Sequence, residues 1–468
     1  MRFVVGEREE LYFVTRSYWE SGFSRSARRP CAVMLTLMLS LAAGCAPEPP
    51  HNVLLLIADD VGVPRIGAYA AHPEPSRTPT LDALAGEGVL FERAWATPMC
   101  SPSRAAILTG RLPSRNGIGS AIHPGRAGQM QGLDLAQDTL PRRLAARGVR
   151  SFAVGKWHLS GGAAPDTTHA LRAGFAHYSG YPGNPPGADG YFAWTKHVNG
   201  SAERVSGGYL TSDTVDDAIE QIRASPEPWF GWVGFHAVHA PLHAPPAALH
   251  TYSLRGAPRA SRTAHYDAAL EAMDHEIGRL LAGVAPEVMK RTTVVFVSDN
   301  GTSKNGVREP SRSAKRSLFE GGVRVPLIVA GAAVASENAG RASTALVHVT
   351  DIFATIAELF DADPRAADAQ SLLPFLADPA APSARSVLYT ERFLPNGGPP
   401  DPERHFRAAR DSRYKLIVLP GGREFYDLEA DPGEERDLLA QGGGSLPAAA
   451  LARLERAIDS RGAAEALR

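Results

Sequence analysis

Four short apolar runs in this chain each end in a cluster of polar side chains, and that pattern constrains the fold more than any other feature. Val53–Ala58 is continuously apolar and runs into Asp59-Asp60. Ser151–Val154 leads to Gly155-Lys156-Trp157-His158, Phe230–Phe235 to His236 and His239, and Thr293–Val297, after Ser298, to Asp299-Asn300. Runs of this kind read as strands covered on both faces, the condition of a parallel sheet. Leu327–Ala330 is a further strand-like run. Helical patterns alternate with them at Thr80–Glu87, Arg104–Leu108, Leu140–Arg147, Thr214–Arg223 and Ala264–Leu281. The alternation predicts βαβ units, hence an α/β fold with a large mainly parallel sheet flanked by helices. Ligands of such sheets bind beyond the carboxyl ends of the strands, the edge to which all four polar clusters are delivered.

With 468 residues the chain exceeds what one hydrophobic core organises, so a second, smaller unit is expected. After the small, proline-containing stretch Ala377–Ser386, short strand-like pieces follow at Val387–Thr390, Phe406–Arg410, Tyr414–Val418 and Glu424–Tyr426, then a helix near Leu446–Ile458. They predict a C-terminal α+β subdomain over 386–468 carrying an antiparallel sheet, beside a catalytic domain over 51–380. A formal net charge of -1 gives no electrostatic case for a nucleic-acid partner. The 45 glycines and 37 prolines point to many loops, where α/β enzymes carry their sites.

The amino terminus reads as a targeting signal. Basic residues Arg25 to Arg29 precede the apolar run Cys31–Ala43, too short to span a membrane comfortably and ending in small residues. Leu41-Ala42-Ala43-Gly44-Cys45 resembles a bacterial lipobox, in which the cysteine is lipidated and becomes the first residue. The expectation is therefore a signal peptide over 1–45, started downstream of Met1, and a tether over 46–50. Export to the periplasm or cell surface follows, with a lipid on Cys45 holding the protein to a bacterial membrane. Of three cysteines, only Cys100 then remains in the body of the mature chain.

Asp59, Asp60, Asp299 and Asn300 are hard oxygen donors in two pairs at two strand ends. Such a set suits calcium or magnesium better than zinc. Cys100 opens Cys100-Ser101-Pro102-Ser103-Arg104 before a helical segment. A helix amino terminus with Arg104 in its first turn favours a tetrahedral oxyanion such as sulfate or phosphate.

Here the sequence resembles the formylglycine-dependent sulfatases of the alkaline phosphatase superfamily. Cys100 to Arg104 has the form of their signature, and Asn52 to Asp60 looks like their opening strand. Thr78-Pro79-Thr80-Leu81-Asp82-Ala83-Leu84, Gly155-Lys156-Trp157-His158-Leu159 and Ser298-Asp299-Asn300-Gly301 are similar to further family motifs. So are Leu318 to Pro326, Tyr426-Asp427-Leu428-Glu429 and Asp431-Pro432-Gly433-Glu434, an ordered series through nearly the whole mature chain.

The resemblance implies an alkaline-phosphatase-like fold and hydrolysis of a sulfate ester to alcohol and inorganic sulfate. It implies a nucleophile in the hydrated formylglycine made from Cys100 by a formylglycine-generating enzyme. It implies a cation, calcium or alternatively magnesium, held by Asp59, Asp60, Cys100, Asp299 and Asn300. Arg104, Lys156 and Lys315 would balance charge, His239 and Lys315 would protonate the departing alcohol, and His158 would be the base. One departure is Arg316, where the family has glycine after the lysine.

His236, His243 and His250 read as loop or surface histidines, and Lys304 and Arg308 as solvent-facing. Two other readings stay open: a phosphonate or phosphate ester hydrolase of the same superfamily, and a non-catalytic lipoprotein that binds sulfated glycans. The resemblance implies a sulfated small molecule or glycan as substrate. Loops around Pro64–Arg77, Ser120–Asp134, Ala163–Arg204 and Phe393–His405 are expected to select among them.

Overall fold

The computed structural model describes residues 51–466 except 164–165, 188, 307–312 and 441–445. The expected signal, lipobox and tether, Cys45 included, lie outside the described residues, as does Arg308.

Strand β1 (Asn52–Ala58) shows why a strand can be apolar at every position. Val53, Leu55 and Ile57 enter one core, while Leu54, Leu56 and Ala58 enter another on the opposite face, as the two-residue period of a strand requires. The first core is closed by helices α2 (Cys100–Thr109), α3 (Leu140–Ala145) and α6 (Asp351–Leu359). The second is closed by α1 (Pro79–Gly86), α4 (Leu210–Ala224) and α5 (Arg262–Gly283).

β1 pairs in parallel with β7 (Trp229–Gly234) on one side and β8 (Thr292–Ser298) on the other. Beyond β7 come β3 (Arg150–Gly155) and β4 (His177–Gly180), also parallel. This block is the parallel sheet that the apolar runs predict. Antiparallel additions enlarge it: β9 (Leu327–Gly331) lies between β8 and β2 (Gly88–Trp95), and the hairpin β5 (Ala193–Val198)–β6 (Ser201–Ser206) extends the far edge. With β10 (Arg341–His348) parallel to β2, the order across ten strands is β10-β2-β9-β8-β1-β7-β3-β4-β5-β6. β2, β4, β10 and the hairpin have no counterpart among the expected strands. β6 is mostly exposed and Glu92-Arg93 interrupt β2, so neither shows a continuous apolar run.

The four C-terminal strands are as expected within two residues: β11 (Leu388–Arg392), β12 (Phe406–Arg410), β13 (Tyr414–Leu419) and β14 (Gly422–Asp427), antiparallel in that order. Helix α7 (Ala448–Ala466) covers one face, with Leu451, Leu454 and Ile458 against Ala409, Leu416 and Phe425. The other face, Leu388, Ala408, Ile417 and Tyr426, packs on Trp95, Leu318, Val323 and Leu346 of the large sheet and its loops.

An ionic knot seals that seam. Lys415, fully buried, reaches Glu320 Oε1 at 3.0 Å and Glu434 Oε1 at 2.8 Å, and its ammonium lies 4.9 Å from the centre of the Trp95 ring. Arg410 Nη1 reaches Glu320 Oε2 at 3.0 Å. Burial alone would raise the Glu320 carboxyl, but Lys415, Arg410 and Arg324 outweigh it and hold the group down at about 2.

Candidate active site

β1, β3, β7 and β8 run the same way, so their carboxyl ends open on one edge of the sheet. Gly155 and Gly234, the last register pair of β3 and β7, bring that edge together. A Cβ on Gly155 would strike the Gly234 carbonyl, and one on Gly234 would strike the Lys156 carbonyl and the Arg104 guanidinium. Only glycine lets the backbones and Arg104 approach this closely. Asp60 and His158 both have positive φ, 69° and 58°, a conformation that non-glycine residues hold at functional sites when the surroundings impose it.

Cys100 is buried and is the first residue of α2. Met99, the N-cap, makes no side-chain cap bond; Pro102 has no N–H and the Ser103 N–H donates to the Met99 carbonyl at 3.3 Å, which leaves the amides of Cys100 and Ser101 at the positive end of the helix. Arg104, one turn along, donates from Nε to Asp299 Oδ2 at 2.8 Å and from Nη1 to the Lys156 carbonyl at 2.8 Å. Lys156 is buried, pairs with Asp59 and donates to Asn184 Oδ1 at 2.7 Å. Lys315 pairs with Asp60, and its Nζ lies 3.9 Å from Asp59 Oδ1 and 4.0 Å from Cys100 Sγ.

Three carboxyl groups thus face three cations in a largely buried space. Burial would lower Lys315, but Asp60, Cys100 and Asp59 raise it, so the ammonium stays charged. Burial would raise Asp59, yet Lys156, His239, Lys315 and Arg104 hold it well below the usual range. Asp299 goes the other way, raised by burial and then by the charge of Asp59.

The oxygen donors fit a metal. Asp59 Oδ1, Asp299 Oδ1 and Asn300 Oδ1 are buried and accept no hydrogen bond, a condition that ordinary interiors avoid. Asn300 Nδ2 donates to Asp60 Oδ1 at 2.8 Å and to the Gly301 carbonyl at 2.9 Å, which leaves Asn300 Oδ1 as a free acceptor. Donor atoms of Asp59, Cys100 and Asp299 lie within 4.8 Å of one another, as do those of Asp59, Asp60 and His239. A hard cation is what such a set of oxygens takes.

The histidines divide by tautomer. His158 Nε2–H donates to the Ile122 carbonyl at 3.0 Å, and its Nδ1 is buried without a partner. Burial and the Lys156 charge lower its pKa far below the usual value, so the ring is neutral and Nδ1 carries a lone pair. His239 Nδ1–H donates to the Ala240 carbonyl at 2.7 Å, and burial with Lys315 pushes its pKa down to about 4. His236 departs from the surface reading. It is buried, its Nε2–H donates to the Tyr181 carbonyl at 2.9 Å, and burial lowers it to about 3. His243 is buried too, stacked 3.8 Å from the Tyr191 ring centre. Lys304 is exposed, as expected.

Every residue singled out for chemistry thus falls at this one edge. Asn184 joins them without a sequence signal of its own, from the irregular loop before β5, and His236, which the sequence placed after β7 but left with the surface, joins them as a buried residue.

Comparison with known proteins agrees. The Sulfatase family model matches residues 51–362. N-acetylgalactosamine-6-sulfatase of Rattus norvegicus is 35% identical over 370 residues, 72% of this chain and 67% of that one. Arylsulfatase A of Homo sapiens is 29% identical over 474 residues, 88% of each. Among solved structures, the PsFucS1 sulfatase from Pseudoalteromonas sp. shares the fold with a TM-score of 0.65 at 21% identity, over 87% of this chain and 89% of that one. From motif order, site geometry and these relatives together, the chain belongs to the sulfatase family and is a sulfuric ester hydrolase.

Proposed function

We propose that this sulfatase cleaves a sulfated sugar, with position 100 matured to formylglycine and a calcium ion beside it. The observation that carries the reading is the set of unsatisfied oxygens of Asp59, Asp299 and Asn300 next to Cys100 at a helix amino terminus. When present, the cation supplies positive charge to a sulfate oxygen and the hydrated aldehyde supplies one hydroxyl to attack and a second to release sulfate. Asp59, Asp60, Asp299 and Asn300 would hold the cation.

The chain's own side chains supply the rest. Arg104, Lys156 and the amides of α2 hold negative charge on the transferring group in a dry site, where preorganised charge counts most. Lys315, kept protonated, donates to the departing alcohol. His239 has committed its Nδ1–H to Ala240, so Nε2 accepts and passes on a proton only after taking one. His158 Nδ1 is the base that removes the proton whose loss releases sulfate. N-acetylgalactosamine-6-sulfatases among the relatives support a sugar substrate. Maturation by a formylglycine-generating enzyme, export and a lipid on Cys45 complete the proposal.

Mass spectrometry of the peptide containing Cys100, from protein made in its own host, tests the core of it. A loss of about 18 Da relative to the cysteine form is expected from thiol-to-aldehyde conversion. A plain thiol overturns the nucleophile. Assay of sulfate against phosphonate monoesters separates the sulfatase from the phosphonate hydrolase.

A further inference from the structure

Arg316 follows Lys315 with φ 78°, a left-handed backbone that arginine rarely takes unless its surroundings demand it. Its N–H donates to the Pro98 carbonyl at 2.9 Å, so this exposed side chain starts beside the segment 96–99 that delivers Cys100.

Arg392 is the last residue of β11, a strand of the small sheet that touches the same segment. Thr390, two residues earlier and on the same face of the strand, donates its hydroxyl to the Ala96 carbonyl at 3.0 Å. Phe393, the next residue, donates its N–H to the Gly119 carbonyl at 3.0 Å. That loop continues to Ile122, whose N–H is held by Ser101 Oγ and whose carbonyl accepts from His158. Both arginines therefore flank the approach to the catalytic edge.

The Arg392 guanidinium lies 3.6 Å from the centre of the Phe406 ring, and its Nε is buried without a hydrogen-bond partner. Among the described residues no carboxylate pairs with Arg316 or Arg392. Glu391 faces the other way, accepting from the Ser114 N–H and pairing with His405. Burial first, and then the charge of Arg316, lower the pKa of Arg392. Two like charges near enough to act on one another, with no carboxylate paired to either among the described residues, call for an anion from outside.

We propose that Arg316 and Arg392 form a second anion subsite, and that the substrate carries a further acidic group near the sulfate that is cleaved. The planar guanidinium fork suits a uronate carboxylate and a second sulfate ester alike. The inference rests on the sulfatase reading and adds the substrate's charge to it.

The test compares kcat/KM for wild type, Arg316→Gly, Arg392→Gln and Arg392→Lys on three probes. These are 4-nitrophenyl sulfate, a disulfated amino sugar and a sulfated disaccharide containing a uronate. Glycine relieves the backbone at 316, so that variant tests the side chain without threatening the fold. Arg316→Gly and Arg392→Gln are expected to lose about tenfold more on a doubly anionic probe than on 4-nitrophenyl sulfate, chiefly through KM, the scale of one charge-assisted hydrogen bond. Arg392→Lys should recover part of the loss. Whichever doubly anionic probe suffers names the second group. Equal losses on all three probes, or an unchanged preference, overturn the subsite while leaving the sulfatase in place. Failure of wild type on every sulfate ester overturns the underlying reading and the subsite with it.

Discussion

At the scale of single residues, the centre is a set of buried charges that tolerate no missing partner. Cys100→Ala removes the proposed nucleophile but leaves a small side chain at the start of α2. Turnover should fall to background while circular dichroism and melting temperature stay near wild type. Residual activity above a few per cent would sink the assignment. Asp299→Asn keeps the shape, removes the charge that Arg104 Nε meets at 2.8 Å and weakens the donor set. Metal content by mass spectrometry and activity should both fall. Full metal content in that variant would refute the ligand set. The residues behind these predictions were legible in the sequence because each is fixed at the end of a strand or the start of a helix. Asn184 was not, since its position depends on how a long irregular loop folds back over Lys156, and His236, placed at a strand end by the sequence, was misjudged only in its burial.

At the scale of elements, legibility followed burial. β1, β3, β7 and β8 lie between two cores and each carries a continuous apolar stretch, so sequence alone announces them. The β5–β6 hairpin inside the expected specificity loop is held by backbone pairing at an edge, which leaves almost no trace in side-chain pattern. The close approach of β3 to β7 gives a sharper expectation. Gly234→Ala should cost far more activity than its single methyl suggests, because Lys156 and Arg104 must move away together; a variant with wild-type kcat/KM would show that the contact does not position them. The seam of the small sheet makes a pH prediction. Glu320 is held at about 2 against 4.5 unpaired, so its stabilisation is full above about pH 4.5 and drains away as pH falls toward 2. Melting temperature followed from pH 6 to pH 3 should drop less steeply in Glu320→Gln, from a lower starting value. Parallel curves would show that the knot does not govern acid stability.

At the scale of the whole molecule, a cation that binds only the folded chain stabilises all of it. Chelation should lower the melting temperature together with activity, and calcium should restore both; at a hundredfold excess over Kd the gain is about 2.7 kcal/mol. Activity that survives complete removal of metal would rule the ion out of the chemistry. A last consequence lies in β1, which feeds alternate side chains to two cores and then ends in Asp59 and Asp60. One residue inserted or deleted between Asn52 and Ala58 would exchange the contents of both cores and turn the two aspartates to the wrong sides in the same stroke. The length of this strand is therefore frozen. The loops beyond the strand ends carry no such constraint, whereas β1 ties both cores and the catalytic edge to a single register.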